Sequence, residues 1–513
     1  MGKKNDTAKT VGFIFFAMLA AKLLGQIREI VIAGTYGTAW QADAYLAASQ
    51  IPTNFFDMIL GSAVSAAFIP VFNKFMQENG EKRAKRFAGS FFNTVFLIGL
   101  FLTLLGEIFA PFIIAKFTPG LGGEAAVLAV KLLRIMFPMI IFIGGAYTFV
   151  GLLQSMGEYN LPAVMSMVSS GICIIYLLTL ERRFGITGLA VSLLLGWLLQ
   201  FVFLLPSTLK KGFTFQFVIA DSGLKEVAAL ALPVLIGTWV QPINVMVNTM
   251  LASKVSGGVS AINYANKLYI IAAGIFAMSV TNYIFPKLSR LSIDESDTEN
   301  WYNLLISSLK TVILVVTPIT VVFLTESSEI IRVIYQRGEF NEKSVAATGG
   351  ALLFYSVGIL PYALQEVMYK AFYSKRNSVT PMFIALYGII ANIILSLVFS
   401  SFLGIKGLAL AASVSVLTVF AVSFYIVMRN RKVQGLYKDV LKIFVSGAVS
   451  AAVILVVKKL LILGVGLETF ISRFLVLCIS AFVGCAIYGI SVLTAGVPEV
   501  TDIIGKALSK IKK

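Results

Sequence analysis

Fourteen stretches of this 513-residue chain run for about 20 residues or more with predominantly apolar side chains, the length a helix needs to cross a bilayer. They lie near 9–35, 44–73, 87–115, 125–153, 160–180, 186–206, 224–251, 259–286, 302–325, 345–373, 380–402, 406–428, 439–461 and 470–495. Lipid offers no partner to backbone N–H and C=O groups, so segments of this kind satisfy themselves internally, and at this length they do so as helices. No gap between them is long enough for a soluble domain. The chain is 58% hydrophobic and only 13% charged, against about 25% charged residues in soluble domains. The fold class expected is an all-α polytopic membrane protein with about fourteen transmembrane helices.

The net charge is +17, but the basic residues cluster in short loops between apolar runs, which argues against nucleic acid as a partner and for the positive-inside pattern. About 24 lie on the side that holds both termini and about 11 on the other, which places both termini in the cytoplasm. With no histidine, imidazole-based catalysis, proton relay and metal binding are excluded. Cys173, Cys478 and Cys485 all fall in apolar segments and read as small buried hydrophobes, not as a disulfide framework. The first apolar segment carries internal charges and reads as a retained helix, not a cleaved signal peptide. No phosphate-binding loop of the Gly-x-x-x-x-Gly-Lys-Ser/Thr type occurs, so no nucleotide hydrolysis is encoded, and no paired-cysteine metal spacing or nucleophile elbow appears; a transporter and not an enzyme is expected.

The chain repeats itself. Gly185-Ile-Thr-Gly-Leu-Ala190 recurs as Gly404-Ile-Lys-Gly-Leu-Ala409, and at the same offset Ser155 matches Ser374 and Pro162 matches Pro381. The period corresponds to six helices, an even number, so the halves keep one orientation and an axis along the membrane normal relates them. The expected division is an N-lobe at 1–206, a C-lobe at 207–430 and a C-terminal helix pair with a basic tail at 431–513, with a cleft between the lobes.

Within this frame four cations stand out. Lys22 and Arg28 lie in the first span, Lys267 in the eighth and Lys370 in the tenth. At the bilayer centre each costs roughly 2.5–3.5 kcal/mol, so they are expected to face a partner or a wet cavity. On span one Lys22 and Gln26 are a turn apart and Glu29 lies a further turn along that face, with Arg28 about 100° away. Glu29 or Asp57 neutralising a cation is one reading of these charges; a helix lining an anion-binding cavity is the other. Asn54 and Asp57 on span two correspond to Asn263, Asn266 and Lys267 on span eight. Glu366 and Lys370 are spaced i,i+4, the order that favours an intrahelical salt bridge. Asn244 and Asn248, near Pro242, and Asn392 could ligate a monovalent cation such as sodium, although interhelical hydrogen bonding accounts for them equally well.

Several motifs then resemble one family. Lys22-Leu-Leu-Gly-Gln-Ile-Arg28-Glu29, Ala42-Asp43-Ala-Tyr45, Ala66-Ala-Phe-Ile-Pro70, Tyr264-Ala-Asn-Lys267-Leu, Ile284-Phe-Pro-Lys-Leu-Ser289 and the region from Tyr373 to Pro381 are similar to the MurJ/MviN signature, in order and over essentially the whole chain. The resemblance implies a flippase that moves lipid II, the undecaprenyl-pyrophosphate-linked peptidoglycan precursor, across the bacterial cytoplasmic membrane by alternating access of two rocking lobes. It implies a cationic cavity to which Lys22, Arg28, Lys267 and Lys370 match, Asp43 as the acidic residue at the outer end of span two, and a groove for the polyprenyl tail on spans thirteen and fourteen. Membrane lipids and the cell-wall synthesis machinery are the implied partners, and a monomer the implied state. No cofactor is implied; sodium or the membrane potential is the candidate driving force. Family arginines appear here as Lys22, Lys267 and Lys370, which keeps charge but loses the bidentate fork. The wall from Phe56 to Ser62 lacks the arginine the family often places there, and Asn248 and Ser396 stand where some members hold sodium with acids. These departures keep open a flippase for another polyprenyl-linked oligosaccharide. A cation-coupled drug exporter on the same fold fits less well, since cationic drugs favour acidic cavities.

Overall fold

A computed structural model describes residues 2–215, 221–293, 297–429, 431 and 436–497, and the side chains of all of these except 2–11, 54, 55, 57–59, 233–241, 275–280, 282, 436 and 465. All regular structure among these residues is helical: eighteen α-helices and two short π-helical stretches. In chain order they are α1 (Gly2–Tyr36), α2 (Trp40–Gln50), α3 (Met58–Ala63), α4 (Ile69–Glu78), α5 (Gly80–Phe117), α6 (Gly123–Met136), α7 (Met139–Ser155), α8 (Asn160–Thr179) and α9 (Glu181–Lys210). They continue as α10 (Ser222–Ala252), α11 (Gly258–Leu291), α12 (Thr298–Tyr335), α13 (Glu342–Ser356), α14 (Ile359–Ser374), α15 (Val379–Leu403), α16 (Ile405–Met428), α17 (Leu436–Val465) and α18 (Phe470–Thr494).

The stretches expected to span are helical, with turns at 137–138 and 357–358 breaking two of them into α6–α7 and α13–α14. Nine helices are long and apolar enough to cross a membrane among the described residues, or ten if α13 and α14, bent by 43° at their junction, form one span. The count of fourteen exceeds this; α1, α10 and α11, at 35, 31 and 34 residues, have the length for further crossings. At 38 residues, α5 and α12 are each about 57 Å long and project beyond the roughly 30 Å hydrocarbon core. The second span is not one α-helix: π-helical turns at Ile51–Asp57 and Val64–Phe68 interrupt it.

The repeated motif has a common backbone. Gly185 (φ +55°, ψ −152°) and Gly404 (φ +56°, ψ −130°) both break the chain in the left-handed region, where glycine meets no steric penalty. A few helix starts carry side-chain caps: Asn341 accepts from the N–H groups of Lys343 and Ser344 ahead of α13, and Thr469 forms a capping box with Ser472 ahead of α18.

The chain divides into two compact units, one of residues 1–260 with 337–340 and one of 261–336 with 341–513. The first contains a core rich in phenylalanine. Phe68, Phe72 and Phe75 meet Phe87, Phe91 and Phe92 of α5, and Phe92 stacks on Phe149 of α7 with centroids 5.5 Å apart. Lipid removes most of the hydrophobic drive between helices, so close van der Waals contact of this kind holds them. Phe213, from the segment after α9, inserts its ring against Phe149 at 5.3 Å. α10, grouped with the C-lobe by the six-helix repeat, packs within this unit against α3, the second π-turn and α5. Arg83 donates two hydrogen bonds to Asp221, at 2.7 and 2.8 Å, and Asp221 in turn accepts from the Gly223 N–H as the N-cap of α10.

In the second unit α12 is central, packing against α13, α14, α17 and α18. Tyr264 of α11 meets Tyr335 of α12 at 5.3 Å, and Tyr269 stacks on Tyr355 of α13 at 5.3 Å. Of the cysteines, Cys173 is buried as expected, but Cys478 and Cys485 are exposed on α18; a small apolar thiol is as compatible with a lipid-facing helix surface as with a core.

Candidate functional site

α1 carries the first two cations of the sequence reading. Lys22 is exposed, while Gln26 is half-buried. Arg28 Nη2 donates to Glu29 Oε1 at 3.0 Å, with Glu29 almost wholly buried. The 100° between successive helix positions does not keep these two apart, because the long guanidinium arm bends back to its neighbour. Arg28 and Glu29 thus form a local pair on a helix that packs against α8. Neutralisation by Glu29 is the arrangement seen; the side chains of Asn54 and Asp57 lie outside the described residues.

Asp43, read as the acidic residue at the outer end of span two, meets the turn that opens α11. It is 1% exposed, and its carboxylate accepts from the Gly257 N–H at 2.7 Å, the Ser260 N–H at 2.8 Å and the Ser260 hydroxyl at 2.7 Å. It therefore caps the first turn of α11 instead of lining open space. A carboxylate at a helix N-terminus satisfies otherwise orphaned N–H groups and meets the positive end of the macrodipole.

On α11, Asn266 reaches the Tyr355 hydroxyl, and Lys267 beside it is half-buried. On α14, Glu366 and Lys370 do not form the expected salt bridge among the described ion pairs. Lys370 instead places Nζ 5.5 Å from the centroid of the Phe285 ring. A cation over an aromatic face is stabilised without a counter-ion and stays available to an anion. Glu366 is half-buried.

The asparagines read as an ion site each make a hydrogen bond within their own helix. Asn248 Nδ2 donates to Asn244 Oδ1 at 2.9 Å on α10, and the Ser396 hydroxyl donates to Asn392 Oδ1 at 3.4 Å on α15. No group of three or more acidic or cysteine side chains suited to a metal occurs among the described residues.

A second set of charges escaped the sequence reading. Glu326 of α12, 1% exposed, accepts from Lys458 Nζ of α17 at 2.8 Å. Asp439 of α17 pairs with Lys310 of α12. Arg332 bonds Glu329 at 3.0 Å and Glu342 at 2.6 Å, and Arg473 of α18 bonds Gln336 at 3.1 Å. The Glu326-x-x-Glu329-x-x-Arg332 spacing was the available signal. The Lys458, Asp439 and Arg473 contacts fasten the C-terminal helices to α12 or its C-cap, and Arg332 ties α12 to the start of α13.

Many long apolar helices, some carrying paired or aromatic-supported cations, make this a polytopic membrane protein. The architecture agrees: an inward-facing multidrug resistance MATE family transporter of the MOP superfamily is 15% identical and superposes with a TM-score of 0.68 over 81% of this chain and 97% of that one, a likeness of fold alone. A solved structure of lipid II flippase MurJ, in an inward closed conformation, is 26% identical with a TM-score of 0.78, covering 94% of this chain and 99% of that one. The Treponema pallidum protein named "Probable lipid II flippase MurJ" is 30% identical over 455 residues, 85% of each chain. The family model described as lipid II flippase MurJ matches residues 32–492, and the chain belongs to that family. The family is one of transporters, not of catalytic enzymes.

Proposed function

We propose that this protein flips lipid II across the bacterial cytoplasmic membrane, with both termini in the cytoplasm, and that Lys22, Arg28, Lys267 and Lys370 engage the pyrophosphate of its head group during alternating access. The observation that carries this reading is the presence of such cations in membrane helices of both units of a chain in this family. A pyrophosphate crosses hydrocarbon only if fixed charges replace its hydration. Lysine supplies point charges and arginine a fork, so Arg28 is the residue suited to bidentate contact. Arg28 would trade Glu29 for phosphate oxygens, and Lys370 would leave the Phe285 face. Gln26, Asn266 and Glu366 supply hydrogen bonds around these cations. No cofactor is needed; the negative-inside potential draws the unloaded cations inward and so resets the carrier. Asn244, Asn248 and Asn392 supply at most a neutral oxygen set for sodium.

The reading is tested by titrating lipid II into the purified protein and following the complex by native mass spectrometry. Wild type should bind lipid II in preference to other polyprenyl-pyrophosphate sugars, and Lys370→Ala and Lys267→Ala should each weaken binding about tenfold. Equal binding of unrelated polyprenyl-linked sugars would replace lipid II as the substrate.

A further inference from the structure

The turn after α14 repeats the turn after α7 bond for bond. In the earlier copy the Gly157 N–H donates to Gln154 O at 3.1 Å and the Glu158 N–H to Leu153 O at 2.8 Å. In the later copy the Arg376 N–H donates to Tyr373 O at 2.9 Å and the Asn377 N–H to Phe372 O at 3.1 Å. This double bond pattern ends a helix with a left-handed residue, normally glycine. The first copy obeys, with Gly157 at φ +80°. The second places Arg376 at φ +57°, the one non-glycine residue with positive φ among the described residues. A side chain held in a conformation that L-residues disfavour, where the chain's own repeat uses glycine, points to a use for that side chain.

Arg376 borders a cavity of about 700 Å³ in the second unit, lined also by Ser292, Thr298, Trp301, Tyr373 and Lys375. Its floor is hydrogen-bonded: the buried Trp301 indole N–H donates to the Ser374 hydroxyl at 3.1 Å, and the Ser292 hydroxyl donates to Ser374 O at 2.6 Å. Lys375 Nζ sits 3.9 Å from the Trp301 ring centroid and 4.8 Å from that of Tyr302. The neighbouring acids are engaged elsewhere, Glu299 with Arg431 at 3.4 Å and Asp297 with Asn300 at 3.0 Å. Asp294 and Glu295 lie outside the described residues. Among the described ion pairs none involves Lys375 or Arg376. Two exposed cations over an aromatic-walled cavity, at the loop end of membrane helices, match the phosphate of an interfacial lipid, where tryptophan and tyrosine anchor and basic residues meet anionic head groups.

We propose that this cavity binds a phosphate-bearing head group, that of an anionic phospholipid, at a site separate from the cations of α1, α11 and α14. The proposal does not depend on the cargo of the protein. It is tested on the full chain in detergent by native mass spectrometry with phosphatidylglycerol and phosphatidylcholine. Wild type should show a tight phosphatidylglycerol adduct that Lys375→Gln combined with Arg376→Gly weakens about tenfold, while the phosphatidylcholine adducts stay unchanged. Arg376→Gly alone should keep or raise the Tm, because glycine adopts φ +57° freely; that shows the loss is not unfolding. Failure of millimolar inorganic phosphate to displace the adduct identifies the lipid as the source of the phosphate, and displacement identifies a general phosphate site of the same chemistry. Equal adduct affinity in the double variant and wild type would overturn the proposal, as would an equal loss in Lys116→Gln, a cation outside the cavity.

Discussion

Two aspartates show how single carboxylates set junctions between helices. Asp43 receives three hydrogen bonds while almost fully buried, so Asp43→Ala leaves the Gly257 and Ser260 N–H groups without partners at a cost of about 1–3 kcal/mol each. Its Tm should fall well below that of wild type, with Asp43→Asn intermediate; an unchanged Tm for Asp43→Ala would contradict the capping role. Asp221 lies at the loop end of α10. Burial pushes its carboxyl up, but the Arg83 fork and the Gly223 N–H outweigh that and hold it below the ordinary value of 3.8. A depressed carboxyl contributes stability that is present above its unfolded-state pKa and is lost as pH falls through the folded one. The α10 junction should therefore loosen only below about pH 3.8, and Arg83→Met should remove that step, read by hydrogen exchange at 221–225 across pH. Neither role was legible in the sequence. Asp43 finds its partners 214 and 217 residues away, and Arg83 finds Asp221 at a separation of 138.

At the scale of elements, apolar length made the helices legible, because lipid leaves the backbone no alternative. Helix ends were less so. Span nine was expected to stop at 325, which put Glu326 in a loop, yet α12 continues to Tyr335. Its buried ion pair with Lys458 was hidden by that boundary. Lys310–Asp439 and Glu326–Lys458 lie 16 residues apart on α12 and 19 on α17, with signs reversed, which fixes the register of two parallel helices. Lys458→Met leaves Glu326 buried without its counter-ion and should destabilise by about 3–5 kcal/mol. Adding Glu326→Gln should restore most of the Tm, since an uncharged buried pair carries little desolvation penalty. If the double variant is no more stable than Lys458→Met, the pair does not act as a unit.

For the whole molecule, hydropathy, charge distribution and the six-helix repeat carried the class, and motif order carried the family, while the disposition of the candidate site was legible only in part. Lys22 and Arg28 lie on α1, Lys267 on α11 and Lys370 on α14; of the two readings open for Arg28 the pairing with Glu29 is the one seen, while Lys370 sits over Phe285, a contact the sequence did not suggest. Such choices depend on rotamers and on neighbouring helices, which periodicity does not encode. The most direct test of lipid II flipping by these cations is made in cells in which this protein is the sole flippase, with lipid II on the outer leaflet quantified by a membrane-impermeant probe. Depletion should leave lipid II on the cytoplasmic face, wild type should restore its outward exposure, and Lys22→Ala, Lys267→Ala and Lys370→Ala should each restore it poorly despite normal membrane levels. Normal outward exposure after depletion, or full restoration by all three variants, would contradict the account.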